Sequence, residues 1–123
     1  MSVKYTREHE WVRVEGDVAV CGISAYAAEQ LGDIVYVELP EPGRAVRKDG
    51  EMAVVESAKA ASDVFAPVSG AVVAVNETLA ANPERVNETP EGDGWIVKVK
   101  LSDKGELAAL MDKTQYDDYV RSL

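Results

Sequence analysis

One stretch of the chain concentrates the residues that could do chemistry. Val54-Val55-Glu56-Ser57-Ala58-Lys59-Ala60-Ala61-Ser62-Asp63-Val64-Phe65-Ala66-Pro67 sets a single lysine among small residues, between two apolar runs. Read as a β-hairpin, its first strand rises to Ser57, the chain reverses around Ala58-Lys59-Ala60, and the second strand descends to Pro67. The alanines beside Lys59 neither cover nor crowd its amine, so the side chain stands clear at the tip. Such an amine is accessible to a second enzyme that modifies it. It is a poor Schiff-base catalyst, because that chemistry wants a desolvated lysine in a pocket. A lysine at a hairpin tip is also an ordinary solvated residue, and the local sequence alone leaves both readings open.

Other reactive side chains are few. Cys21 is the only cysteine, so it has no intramolecular disulfide partner. It sits in the apolar run Val18 to Ile23, where a buried, inert thiol is expected. His9 is the only histidine, which excludes a His-rich metal centre and leaves little for a Ser-His-Asp triad. A net charge of −9 argues against nucleic acid, whose phosphates demand a basic surface. It suits docking onto basic patches of partner proteins. No apolar segment approaches membrane-spanning length, and Met1-Ser2-Val3-Lys4-Tyr5 lacks a signal-peptide core. The expected location is the bacterial cytoplasm, with no membrane partner. A chain of 123 residues is one domain.

The elements that must position the lysine follow from periodicity and turns. His9 to Val14 reads as a strand with Val12 and Val14 on one face, and Glu15-Gly16-Asp17 turns it into a second strand, Val18 to Ile23. Ser24 caps a short helix that Gly32 closes just past Leu31. Asp33 to Leu39 alternates with Val35, Val37 and Leu39 pointing one way, and Pro40-Glu41-Pro42-Gly43 ends it. After the hairpin, Ala71 to Val75 is too apolar to be exposed on both faces. Asn76 to Gly94 reads as a polar connection with one helical turn near Thr78 to Ala81. Trp95 to Leu101 alternates with its lysines outward. The end, about 103–123, is helical, with one stripe of Leu107, Leu110 and Met111 and another of Tyr116, Tyr119, Val120 and Leu123. Thr114 with Asp117 approximates a capping box. Many short strands between Gly/Pro turns predict a mainly β sandwich or flattened barrel with helices outside.

Upstream of the hairpin lies Pro42-Gly43-x-x-Val46 with Lys48-Asp49-Gly50-Glu51, and downstream lies Ala66-Pro67-Val68-Ser69-Gly70-Ala71-Val72. This arrangement resembles the lipoyl/biotinyl carrier domains, in which a swinging cofactor is attached to a hairpin lysine. Biotin carriers flank that lysine with methionines, and lipoyl domains of 2-oxoacid dehydrogenases place an aspartate before it. Glu56-Ser57-Ala58-Lys59-Ala60 instead resembles the signature of the glycine cleavage H-protein family. The likeness runs from His9 to about Tyr116 through His9-Glu10-Trp11, Gly22-Ile23-Ser24, Leu31-Gly32-Asp33-Ile34-Val35, Glu38-Leu39-Pro40, Val75-Asn76-Glu77, Asn82-Pro83, Val86-Asn87 and Gly94-Trp95. The chain departs at Ala58, where the family usually has valine, and at Arg85, where an apolar residue is usual.

The resemblance implies a barrel-sandwich hybrid with lipoate in amide linkage on Lys59. It implies a non-catalytic carrier that takes the aminomethyl group of glycine from glycine decarboxylase to the tetrahydrofolate-dependent aminomethyltransferase, and is reoxidised by dihydrolipoamide dehydrogenase. Lipoylating enzymes are further implied partners. The redox centre then belongs to the cofactor, and the protein supplies attachment, reach and docking. In the family, positions matching Glu10 and Asp63 lie beside the folded-back arm, where carboxylates can hold its cationic end and exclude water. Glu8 adds a nearby acid, while Glu56 and Ser57 shape the hairpin and guide the lipoylating enzyme. The expected state is a monomer. The alternative function is an H-like protein that relays lipoyl groups to other complexes. A biotin carrier is disfavoured because no methionine flanks Lys59.

Overall fold

The computed structural model describes residues 3–123. Among the described residues nine strands form two antiparallel sheets. Six strands, β1 (Val3–Tyr5), β2 (Glu10–Glu15), β3 (Val18–Ile23), β5 (Ala45–Val46), β8 (Gly70–Val75) and β9 (Val97–Leu101), lie in the order β1-β2-β3-β9-β8-β5. The other three, β4 (Ile34–Glu38), β6 (Glu51–Ser57) and β7 (Ala61–Phe65), lie in the order β4-β6-β7. Four helices, α1 (Ala25–Leu31), α2 (Thr78–Ala81), α3 (Arg85–Glu88) and α4 (Lys113–Arg121), and a 3-10 helix (Lys104–Ala109) lie around them. The sheets are not one closed barrel. The fold is the flattened barrel-sandwich that the strand pattern predicts.

Alternation along the strands builds two cores. Val12, Ala19 and Cys21 face Val37, Val55 and Val64 of the smaller sheet, with Val72, Val97 and Val99 completing that interior. Trp11 and Val20, on the opposite face of β2 and β3, pack against Tyr5 and Tyr116 under α4. The six-stranded sheet is therefore covered on both faces here, by the three-stranded sheet and by the C-terminal helix. Trp11 Nε1 donates to Pro90 O at 2.8 Å, so the buried indole keeps a partner.

Several local expectations give way to tertiary geometry. Val35 does not join Val37 inside, because a register shift between Ile34 and Tyr36 inserts an extra residue into β4. Ile34 and Val37 point inward, while Val35 and Tyr36 are 57% and 51% exposed. His9 precedes the strand in a left-handed turn at φ 72°, and Val14 is only half-buried. The connection after Asn76 holds α3 as well as the expected α2. The C-terminal end is two short helices, as its two stripes suggest, but the first is a 3-10 helix. It ends at Ala109, and Met111 forms an isolated bridge with Tyr5. The capping box belongs to Asp112, the N-cap of α4, and Gln115 in its first turn, not to Thr114 and Asp117. Leu123 is 63% exposed and lies outside the stripe that Tyr116 anchors.

Candidate functional site

The hairpin forms where the sequence predicts it. β6 and β7 pair in register from Val54 with Asp63 to Glu56 with Ala61, leaving Ala58, Lys59 and Ala60 as the exposed turn. Ser57 makes this reversal. Its N–H donates to Ala60 O at 2.8 Å, and its hydroxyl donates to the same carbonyl at 3.2 Å. The same oxygen accepts the N–H groups of Lys59 at 3.2 Å and Ala60 at 3.1 Å. A side chain thus satisfies turn amides that no strand partner reaches. Ala58 N–H donates to Asp33 O at 3.2 Å, which ties the tip to the start of β4.

The Lys59 side chain is not simply free in solvent. Its stem lies over Gly32, the residue that ends α1 at φ 80°: a Cβ there would stand 3.6 Å from Lys59 Cε and 3.7 Å from Nζ. The underlying junction is held by Asn87, which the sequence reading treated only as a family landmark. Its Nδ2 donates to Gly32 O and its Oδ1 accepts Ile34 N–H, both at 2.8 Å. The amine therefore rests on a rigid α1–β4 corner while remaining accessible. Among the described residues no ion pair engages Lys59.

Glu56, Ser57 and Lys59 come together at the tip, but Glu10 and Asp63 do not join them there. Asp63 is exposed on β7, opposite Val54. Glu10 lies near the far end of that strand, only 2% exposed. Its Oε2 accepts Phe65 N–H at 3.2 Å, and its Oε1 accepts the Thr6 hydroxyl at 2.6 Å. Burial pushes the Glu10 carboxyl up to about 7, the two hydrogen bonds oppose this, and the nearby charges of Glu8 and Asp49 add to it. Phe65 lies six residues beyond Lys59, about 20 Å along an extended strand. Asp63 lies between them on the same strand face as Phe65.

A cavity of about 270 Å³ opens at this end of β7, lined by Glu8, Asp49 and Phe65. Asp49 is the acid that sequence reasoning missed, since Lys48-Asp49-Gly50 reads only as a turn. It adopts φ 69°, and its N–H donates to Ala66 O at 2.8 Å, which sets it beside the foot of β7. The geometry offers an accessible amine at one end of a strand and an acidic, partly buried corner at the other.

The remaining reactive groups are quiet. Cys21 is fully buried, and burial pushes its thiol up. Among the described residues, no three His, Cys, Asp or Glu side chains are grouped to hold a metal ion. None of the described helices is long and apolar enough to cross a membrane.

The family described as Glycine cleavage H-protein matches residues 3–123. A glycine cleavage system H protein of Xanthobacter autotrophicus is 60% identical over 122 residues, covering 99% of this chain and 98% of the relative. The protein of that name from Thermotoga maritima is 53% identical over 116 residues, 94% of each chain. The crystal structure of a glycine cleavage system H protein from Mycobacterium marinum superposes with a TM-score of 0.89 at 34% identity, covering 99% of this chain and 98% of that one.

Proposed function

This chain belongs to the glycine cleavage H-protein family, and we propose that it serves as the lipoyl-carrying shuttle of the glycine cleavage system through Lys59. One observation carries the reading: the single amine of the hairpin stands exposed on a turn built by Ser57, over a corner pinned by Asn87. Lipoate in amide linkage would remove the ammonium charge, and its dithiolane would supply the redox and group-carrying chemistry. The chain's own residues attach, orient and shelter. Ser57 holds the turn, Gly32 leaves room for the lysine stem, and Glu56 flanks the tip.

At the other end, Glu10 with Glu8 and Asp49 offers negative charge beside Phe65, and Asp63 marks the way along β7. A cation seated there would favour the ionised form of Glu10, whose burial otherwise holds its proton. No residue of the chain is asked to catalyse. The partners are glycine decarboxylase, the aminomethyltransferase, dihydrolipoamide dehydrogenase and the lipoylating enzymes. On this reading the chain folds as one domain and acts as a monomer in the bacterial cytoplasm. The alternative, relay of lipoyl groups to other complexes, is not favoured by relatives such as those of Xanthobacter autotrophicus and Thermotoga maritima, which carry the glycine cleavage name.

The test is intact mass with peptide mapping of protein made in lipoate-supplied cells, beside Lys59→Arg. A lipoyl-sized increment on the Lys59 peptide, absent from the variant, is expected. An unmodified Lys59 despite an active lipoylation pathway would overturn the assignment. The native lipoylated protein should then support glycine–bicarbonate exchange by purified decarboxylase.

A further inference from the structure

The bulge in β4 does more than spoil an alternation. Large apolar side chains are normally hidden, yet Val35 and Tyr36 both face outward, next to each other on a strand that forms the edge of its sheet. Tyr36 pairs with Glu56, three residues before the lysine, and Ile34 pairs with Ser57. The corner that supports the Lys59 stem, Gly32 with the first residue of β4, leads straight into Val35. This apolar pair is therefore the exposed greasy surface nearest the amine.

The strands around it carry acids, and Arg44 reaches only their far end, where it donates to Glu51 O and lines a pocket with Glu38. No lysine or arginine occurs between Arg13 and Arg44, and Lys59 alone occurs between Lys48 and Arg85. The strands β4, β6 and β7 carry Glu38, Glu51, Glu56 and Asp63 and no cation, with Asp33 just before β4. An apolar pair rimmed by carboxylates fits an apolar depression rimmed by basic residues.

We propose that Val35 and Tyr36, with the acidic rim of Asp33, Glu38 and Glu56, form the docking surface for the enzyme that acylates Lys59. This rests on Lys59 being the lipoyl site. Reach decides among the partners. An enzyme that acts on the far end of a long arm has its reacting atoms well away from β4. The acylating enzyme must bring its reacting carbon to Nζ itself, and so must cover the tip and the adjoining edge of β4. In that step the Lys59 ammonium first gives up one proton to become a nucleophilic amine, Nζ bonds to the carboxyl carbon of the lipoyl adenylate, the acyl C–O bond to phosphate breaks so that AMP leaves, and Nζ sheds a second proton to solvent to give the amide.

The experiment uses the full chain, lipoate, ATP and a purified lipoate–protein ligase. Val35→Thr/Tyr36→Thr keeps strand propensity while removing the apolar surface. Val73→Thr is the control, since Val73 is 47% exposed on the other sheet. The double variant should raise KM for the protein substrate roughly tenfold or more with kcat little changed, as loss of a central apolar anchor does. Val73→Thr should match the native chain, and native KM should rise with salt. If the double variant lowers the melting temperature, Tyr36→Thr alone is measured in its place. Native KM in the variant, or an equal rise in Val73→Thr, overturns the docking surface. So does native acylation KM together with a raised KM of the pre-lipoylated variant for glycine decarboxylase, which would move the surface to that partner. Failure of the native chain to accept lipoate at Lys59 refutes the carrier reading itself, a distinct result.

Discussion

Glu10 Oε2 accepts the backbone N–H of Phe65 at 3.2 Å, so a buried carboxylate on β2 fastens the foot of the lysine hairpin to the larger sheet. The same carboxylate takes the Thr6 hydroxyl at 2.6 Å. One group thus joins the packing of the two sheets to the acidic corner beside Phe65, and its proton should be visible in stability as well as in function.

Burial raises the folded-state value of Glu10 from 4.5 to about 7. The folded protein then holds a proton that the unfolded chain releases. This contribution is fully present below about pH 4.5 and is lost as pH rises through about 7, a swing on the order of 3 kcal/mol. Glu10→Gln mimics the protonated group and should remove that slope. Urea unfolding at pH 5 and pH 8 is expected to show the variant gaining on the native protein at the higher pH. Parallel pH dependences of the two proteins would refute this account of Glu10.

Ser57 serves the tip with one oxygen that accepts two turn amides and donates to Ala60 O. Ser57→Ala should lower stability by about 1–2 kcal/mol, the range for a lost buried hydrogen bond. Amide exchange at Lys59 and Ala60 should quicken more than elsewhere, and Ser57→Thr should restore part of the loss. Unchanged exchange at those two amides would argue that the backbone alone defines the turn.

His9, the single histidine, reports on the C-terminal helix. Its Nδ1 lies 2.8 Å from Tyr116 Oη, which in turn lies 2.6 Å from Ser24 Oγ, and Ser24 accepts Ala27 N–H at 3.2 Å. All partners are satisfied when Ser24 donates to Tyr116 and Tyr116 donates to a neutral ring. Burial lowers the His9 value below 6.5, with Glu8 opposing. Its contribution is present above about pH 6.5 and is lost as pH falls through the folded value, the opposite window to Glu10. Tyr116→Phe should cost about 1–3 kcal/mol, because it leaves the buried Ser24 O–H without an acceptor. The His9 ring should then titrate at higher pH by NMR, whereas titration at or below the native value would refute the relay.

Gly70 opens β8 where it passes β9. A Cβ there would overlap Lys100 O and stand 2.8 Å from Val99 Cγ1, so side-chain volume is impossible without parting the strands. Gly70→Ala should destabilise by roughly 3 kcal/mol or more, as severe overpacking does. A melting temperature within a few degrees of native would show that β8 yields more easily than the pairing implies.

Much of this protein was legible in one dimension. The hairpin, its tip and its lysine follow from small residues between apolar runs, and α1 from Ser24 and Gly32, because turns and caps are local effects. The resemblance singled out Lys59, Glu56, Ser57, Glu10 and Asp63 from short motifs. Three things were decided only in the folded chain. Glu10 is a buried group of raised pKa because β7 and Thr6 close over it, and no local pattern encodes that desolvation. Asp49 and Asn87 join the site from outside the hairpin, through a turn and a short helix whose local signals are weak. Val35 faces outward because pairing with β6 inserts a bulge, and strand register is settled by the partner strand, which alternation within a single strand does not contain.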